Sequence, residues 1–211
     1  MPRLSPPLLE SAWRILSGSS VRLCAQNCGW GEGPLTGEVS AGMLVEMGVS
    51  LVEVGHAERR SLFGEDATVV ARKTSGTESR AHATVVYRGG QTGGAGRRRP
   101  VLCRAGALAL GARASGEREP LSSVLLAYEP LWAIGAPAPA DPGYVDRTVA
   151  VLRTFLQERF GADTGIIYGG SAGPGLPPRL GSVDGLFLGR FAHEPSNLGS
   201  VIDEAHTPGA A

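Results

Sequence analysis

A chain of 211 residues with 42% hydrophobic and 19% charged content has the material for one sizeable core. No apolar run approaches the ~18 residues of a membrane helix, and "MPRLSPPLLESAWRILSGSS" lacks the order of a signal peptide, so a membrane partner is not expected and a cytoplasmic location is. Formal net charge is zero, and three cysteines, with no second pair near Cys24 and Cys28, argue against a disulfide framework or a zinc site.

In chain order, short runs rich in β-branched residues predict strands: "VRLCAQ" (21–26), "SLVEVG" (50–55), "ATVVYRG" (83–89), "SVLLAY" (123–128), "TGIIYGG" (164–170) and "VDGLFLG" (183–189). They are continuous rather than alternating, as in parallel strands covered on both faces. "SAGMLVEMG" (40–48) reads as a helix opened by a Ser cap and closed by Gly48. "DPGYVDRTVAVLRTFLQERFG" (141–161) reads as another, with Val145, Val149, Leu152 and Leu156 on one face. Strand and helix in alternation predict an α/β fold, either a barrel or an open doubly wound sheet. No G-x-G-x-x-G turn follows an early strand to favour a nucleotide-binding sheet.

Residues with chemistry follow the strands: Asn27, His56, Glu129, the turn Gly169-Gly170-Ser171, and Gly189. In a barrel these loops converge on one face. A carboxylate and a neutral imidazole over one substrate can move a proton between neighbouring carbons, and the glycines allow a phosphate to approach the backbone. Taken singly, Glu129 also fits a solvated strand-end acid and His56 a satisfied loop histidine. Between Arg72 and Pro120 nine Arg and Lys73 face only Glu78, Glu117 and Glu119. With Tyr87 as its one aromatic, this stretch lacks stacking platforms, so a solvated segment is expected and no nucleic-acid partner.

Together "AQNCGWGEGPLTGEVSAGML", "VEVGHAERRSLFGED", "LAYEPLWAIG", "IIYGGS" and "VDGLFLG", in that order, resemble the triosephosphate isomerase family. The resemblance implies a (β/α)8 barrel that interconverts dihydroxyacetone phosphate and glyceraldehyde 3-phosphate, a reaction of glycolysis and gluconeogenesis. On it Glu129 is the base, His56 the electrophile and Glu58 a second acid beside the histidine. The stretch Pro130, Leu131, Trp132, Ala133, Ile134, Gly135 and Ala136 is the lid. Gly135, Ser171 and Gly189, with Arg190 where many members have glycine, hold the substrate phosphate. Asn27 to Glu38, with Thr36 at the tip, is the loop of a homodimer. Neither metal nor organic cofactor is implied, since the substrate carbonyl is its own electron sink.

The chain departs from the family in four ways. The Asn-x-Lys element expected on the first strand is not here, and Lys73 is the sole lysine. The chain begins in what resembles the second helix, so an incomplete barrel of six readable strands is expected, as a single domain spanning 1–211. Residues 74–120 form a divergent Arg/Gly/Ala-rich segment, as a frame error, a decayed segment or a variable surface helix would. Ala57 replaces a usual Ser. Two alternatives follow: a paralogue acting on a tetrulose phosphate, or a degenerate homologue that binds without turnover.

Overall fold

The computed structural model describes residues 3–78, 82–89, 124–160 and 164–206. They fall into two compact units, the first running to Val86 and the second carried mainly by the residues from Leu126 onward.

In the first unit, β1 (Arg3–Leu4), β2 (Cys24–Ala25), β3 (Leu51–Val54) and the first part of β4 (His82–Gly89) pair in parallel, with Arg3 opposite Cys24, Cys24 opposite Leu51, and Leu51 opposite His82. Four strands in chain order suit a barrel wall better than a doubly wound sheet, whose order reverses at its switch point. Helices α1 (Pro6–Leu16), α2 (Ala41–Glu46), α3 (Ala57–Leu62) and α4 (Ala67–Glu78) fill the crossovers. Prolines open α1, where a missing N–H costs nothing, and Leu9 is its buried anchor. The Ser40 hydroxyl caps α2 by accepting the Met43 N–H at 3.3 Å. Just beyond α2, Gly48 has φ +81°, and a Cβ there would lie 2.1 Å from the Trp13 ring. Only glycine meets both demands.

The second unit holds β5 (Val124–Pro130), β6 (Ile166–Tyr168) and β7 (Gly185–Leu186), again parallel, with Leu126 opposite Ile166 and Ile167 opposite Gly185. Helix α5 (Pro142–Phe160) starts at Asp141, whose carboxylate accepts the Tyr144 N–H at 2.9 Å, and it buries Val145, Val149, Leu152 and Leu156 as its periodicity predicts. The Asp184 carboxylate takes the Ile166 N–H at 2.6 Å and the Arg153 guanidinium at 2.7 Å, tying α5 to β6 and to the approach to β7. Helix α6 (Pro195–His206) closes the unit.

The strand reading needs one correction. Seven strands stand among the described residues, because β1 precedes α1; two residues, one of them Arg3, are too short for a periodicity to register. Helices α3, α4 and α6 also went unread. Of the divergent segment, Thr74–Glu78 complete α4 and 82–89 form β4, while the remainder to Pro120 lies outside the described residues.

Candidate active site

Strand β3 gives way to Gly55, φ +77°, where an added Cβ would stand 2.9 Å from the Arg60 guanidinium and 3.2 Å from Val70. The turn that this glycine permits puts His56 at the N-cap of α3. There His56 Nδ1 accepts the Glu58 N–H at 3.3 Å. An accepting Nδ1 carries no proton, so the ring proton sits on Nε2, which becomes a donor. The Glu58 carboxylate is exposed and lies 3.8 Å from Nδ1. On the other side of the ring, Nε2 is 4.0 Å from Glu53 Oε1. Glu53 is 3% exposed, and its Oε2 accepts Arg3 Nη1 at 2.9 Å. Burial pushes the Glu53 carboxyl above the usual glutamate range, with Arg3 and then His56 opposing.

Asn27 follows β2, and its side chain is anchored: Oδ1 accepts Lys73 Nζ at 2.9 Å. Lys73 is buried and also donates to Glu65 Oε1 at 2.7 Å, an oxygen that Arg59 reaches at 2.6 Å. The sole lysine is thus part of an internal ion cluster. Thr36 is exposed on a loop whose base is closed by the Gly29 N–H on the Val39 carbonyl at 2.9 Å.

In the second unit Glu129 is the penultimate residue of β5 and 6% exposed. It rests on Gly169, where a Cβ would come within 2.8 Å of Glu129 Cγ and 2.9 Å of Oε1. The lid segment leaves β5 at Pro130, makes a 3-10 turn over Leu131–Ala133, and passes Ile134 and Gly135 (φ +70°) to Ala136. The Trp132 ring meets Tyr144 edge-on at 5.7 Å. Ser171, itself at φ 51°, places Oγ 3.0 Å from the Ala133 carbonyl and 2.6 Å from that of Ala136. One hydroxyl proton serves one of the two at a time. Farther along, the Tyr168 hydroxyl accepts the Ala140 N–H and donates to the Gly170 carbonyl, both at 2.9 Å. Burial chiefly, and the Glu129 carboxylate further, raise the Tyr168 hydroxyl above its usual value, against the Ala140 bond. Arg190 Nη2 stands 3.5 Å from where a Gly135 side chain would begin, so the guanidinium lies beside the lid. Gly189 has open space around it and an ordinary negative φ.

The structure therefore gathers Glu129, the lid, Ser171, Gly135 and Arg190 in one unit, and His56 with Glu58 in the other. Sequence reasoning missed Tyr168, Gly169 as the floor beneath Glu129, and the Arg3–Glu53 pair. The signal for the last was visible, a charge inside the apolar run "SLVEVG".

The family model for triosephosphate isomerase matches residues 4–205. The chain belongs to that family. The crystal structure of triosephosphate isomerase from Bartonella henselae superposes with a TM-score of 0.79 at 26% identity, covering 97% of this chain and 85% of that one, so the fold is the α/β barrel of the triosephosphate isomerase family. The L-erythrulose-1-phosphate isomerase of Pectobacterium atrosepticum is 41% identical over 204 residues, 95% of this chain and 78% of that protein. The triosephosphate isomerase of Solibacter usitatus is 34% identical over 212 residues, 95% of this chain and 84% of that protein. No helix among the described residues is long and apolar enough to cross a membrane.

Proposed function

We propose that this chain isomerises a short phosphorylated ketose by moving one proton between adjacent carbons. The observation that carries the reading is the setting of Glu129: a buried carboxylate on a glycine floor, beside a lid bonded to Ser171. Glu129 takes a proton from the carbon next to the carbonyl. The C–H electron pair moves into the carbonyl and leaves an enediolate; the likeness to the family, and not a measured distance, assigns the hydrogen bond to its oxygen to His56 Nε2–H. Transfer of the adjacent hydroxyl's proton to that oxygen, and return of the abstracted proton to the former carbonyl carbon, complete the exchange with no net redox change. Low exposure of Glu129 strengthens its part in this by excluding water.

The phosphate falls to the backbone of Gly135, Ser171 and Gly189 and to the Arg190 guanidinium. The Ser171 hydroxyl is engaged by lid carbonyls, so its N–H is what it offers. Arg190 supplies a bidentate positive group, which buried Lys73 does not. As substrate we propose a tetrulose phosphate, supported by the relative at 41% identity that is named for one. Interconversion of dihydroxyacetone phosphate and glyceraldehyde 3-phosphate is the second reading, supported by the family model and the relative at 34%. We also propose a cytoplasmic homodimer built on the Asn27 to Glu38 loop.

Solvent exchange tests the reading. In deuterium oxide the wild-type chain should place one deuteron on the carbon next to the carbonyl of L-erythrulose 1-phosphate or dihydroxyacetone phosphate, and Glu129→Gln should place none. A folded wild-type chain that exchanges neither ketose is a degenerate binder and the proposal fails.

A further inference from the structure

Glu53 is the one charged residue in β3, and Val52 and Val54 on either side of it are buried. Alternation along the strand sends those two to the face opposite Glu53. A carboxylate so placed is costly unless it is paired. Arg3, two strands away on β1, compensates one oxygen through Nη1 at 2.9 Å from Oε2. The other oxygen, Oε1, faces His56 Nε2 at 4.0 Å, too long for a hydrogen bond between them. One is an acceptor and the other a donor, for Nδ1 is already occupied by the Glu58 N–H. The pair is therefore arranged to receive two oxygens of one ligand, a carbonyl at Nε2 and a hydroxyl farther along the chain at Oε1. An ionised carboxylate only accepts, so what it selects is a hydroxyl donor.

Glu53 lies on β3, three residues before His56, which caps α3 just beyond the strand's C-terminal end, so Glu53 is the deeper of the two. A ketose held at His56 by its carbonyl and extending past it reaches Glu53 with the second carbon beyond that carbonyl. A triose phosphate ends one carbon earlier than a tetrulose phosphate. We infer that Glu53, fixed by Arg3, accepts a hydrogen bond from the terminal hydroxymethyl group of a four-carbon ketose phosphate and is the residue that separates four-carbon from three-carbon substrates. The inference rests on the reading above that His56 polarises the substrate carbonyl.

Two readouts keep the inference and that reading apart. The first is the ratio of kcat/KM for L-erythrulose 1-phosphate over dihydroxyacetone phosphate. The second is the ratio of calorimetric affinities for erythritol 4-phosphate and glycerol 3-phosphate, which cannot isomerise. Glu53→Leu should lower both ratios about 10- to 100-fold, the worth of a hydrogen bond to a charged group, and Glu53→Gln, which keeps an acceptor, by less. Because Glu53→Leu leaves a half-buried guanidinium without its carboxylate, Arg3→Met/Glu53→Leu is measured beside it and should show the same fall. Unchanged ratios, or an equal loss for both members of each pair, overturn the inference. If the wild-type chain isomerises neither ketose yet prefers erythritol 4-phosphate through Glu53, the isomerase reading falls and the inference stands.

Discussion

The Lys73 ammonium donates to Glu65 Oε1 at 2.7 Å from a residue that is 1% exposed, and it also donates to Asn27 Oδ1. The chain's sole lysine is consumed by architecture, joining α4 to the loop after β2 and to the segment after α3. Phosphate charge must be met elsewhere, which gives Arg190 its importance in the account.

Glu65→Gln should cost about 3–5 kcal/mol in urea denaturation, because it leaves Lys73 as a buried cation without a counter-charge. Burial acts to raise the Glu65 carboxyl, but hydrogen bonds from Lys73 and Arg59 outweigh it and hold the group below its usual value. A carboxyl depressed by folding adds stability that is present above its unfolded pKa and lost as pH falls through the folded one. Wild-type stability should therefore decline in acid, at and below the ordinary glutamate range, and Glu65→Gln should show a flatter profile there. Parallel profiles would mean the cluster is energetically idle.

Gly169→Ala should displace Glu129, since the new methyl would sit 2.8 Å from its Cγ and 3.0 Å from the Phe187 ring. A shift of this kind in a catalytic group lowers kcat/KM by about 100-fold. Overpacking should cost about 1–3 kcal/mol in thermal unfolding. Full activity in the alanine variant would show that Glu129 need not rest where it does.

Much of this was legible in the sequence, and the exceptions share a cause. The α5 face, the α2 cap and the β3 run follow from local periodicity and capping residues, which act over a few positions. Helix α4 was not read because Lys73, Thr74 and Thr77 occupy its buried side, where a pattern of apolar residues is expected. Their partners, Glu65 for the lysine and helix carbonyls four residues back for the threonines, make that burial tolerable. Helix α3 escaped because a histidine, rather than Ser, Thr, Asp or Asn, caps it. Arg3 meets Glu53 across 50 residues of chain, a distance that no window spans.

Tyr168→Phe removes both the acceptor for Ala140 N–H and the donor to Gly170, at about 1–3 kcal/mol for the group left unsatisfied. The segment that runs from the lid to Ala140 should loosen at its far end, and the lid with it. Limited proteolysis between Pro130 and Ala140 should quicken, and KM for the ketose phosphate should rise with a smaller fall in kcat. Unaltered cleavage and kinetics would show that the Ser171 contacts hold the lid alone.

Cys24 should resist alkylation in the folded chain. Burial foremost, and the nearby Glu53 charge, push its thiol up to about 12. At pH 8 roughly one molecule in ten thousand then carries the reactive thiolate. Iodoacetamide labelling followed by peptide mapping should find Cys24 unmodified until denaturant is added. Rapid labelling under native conditions would contradict the packing around β2.

The most direct test of the central claim is initial-rate isomerisation of L-erythrulose 1-phosphate and dihydroxyacetone phosphate by the wild-type chain and Glu129→Gln at equal folded concentration. Turnover by the wild-type chain, higher kcat/KM for the four-carbon ketose, and a loss of about 100- to 10,000-fold in the variant are the predicted results. Equal rates in the two proteins would contradict the assignment of Glu129 as the base.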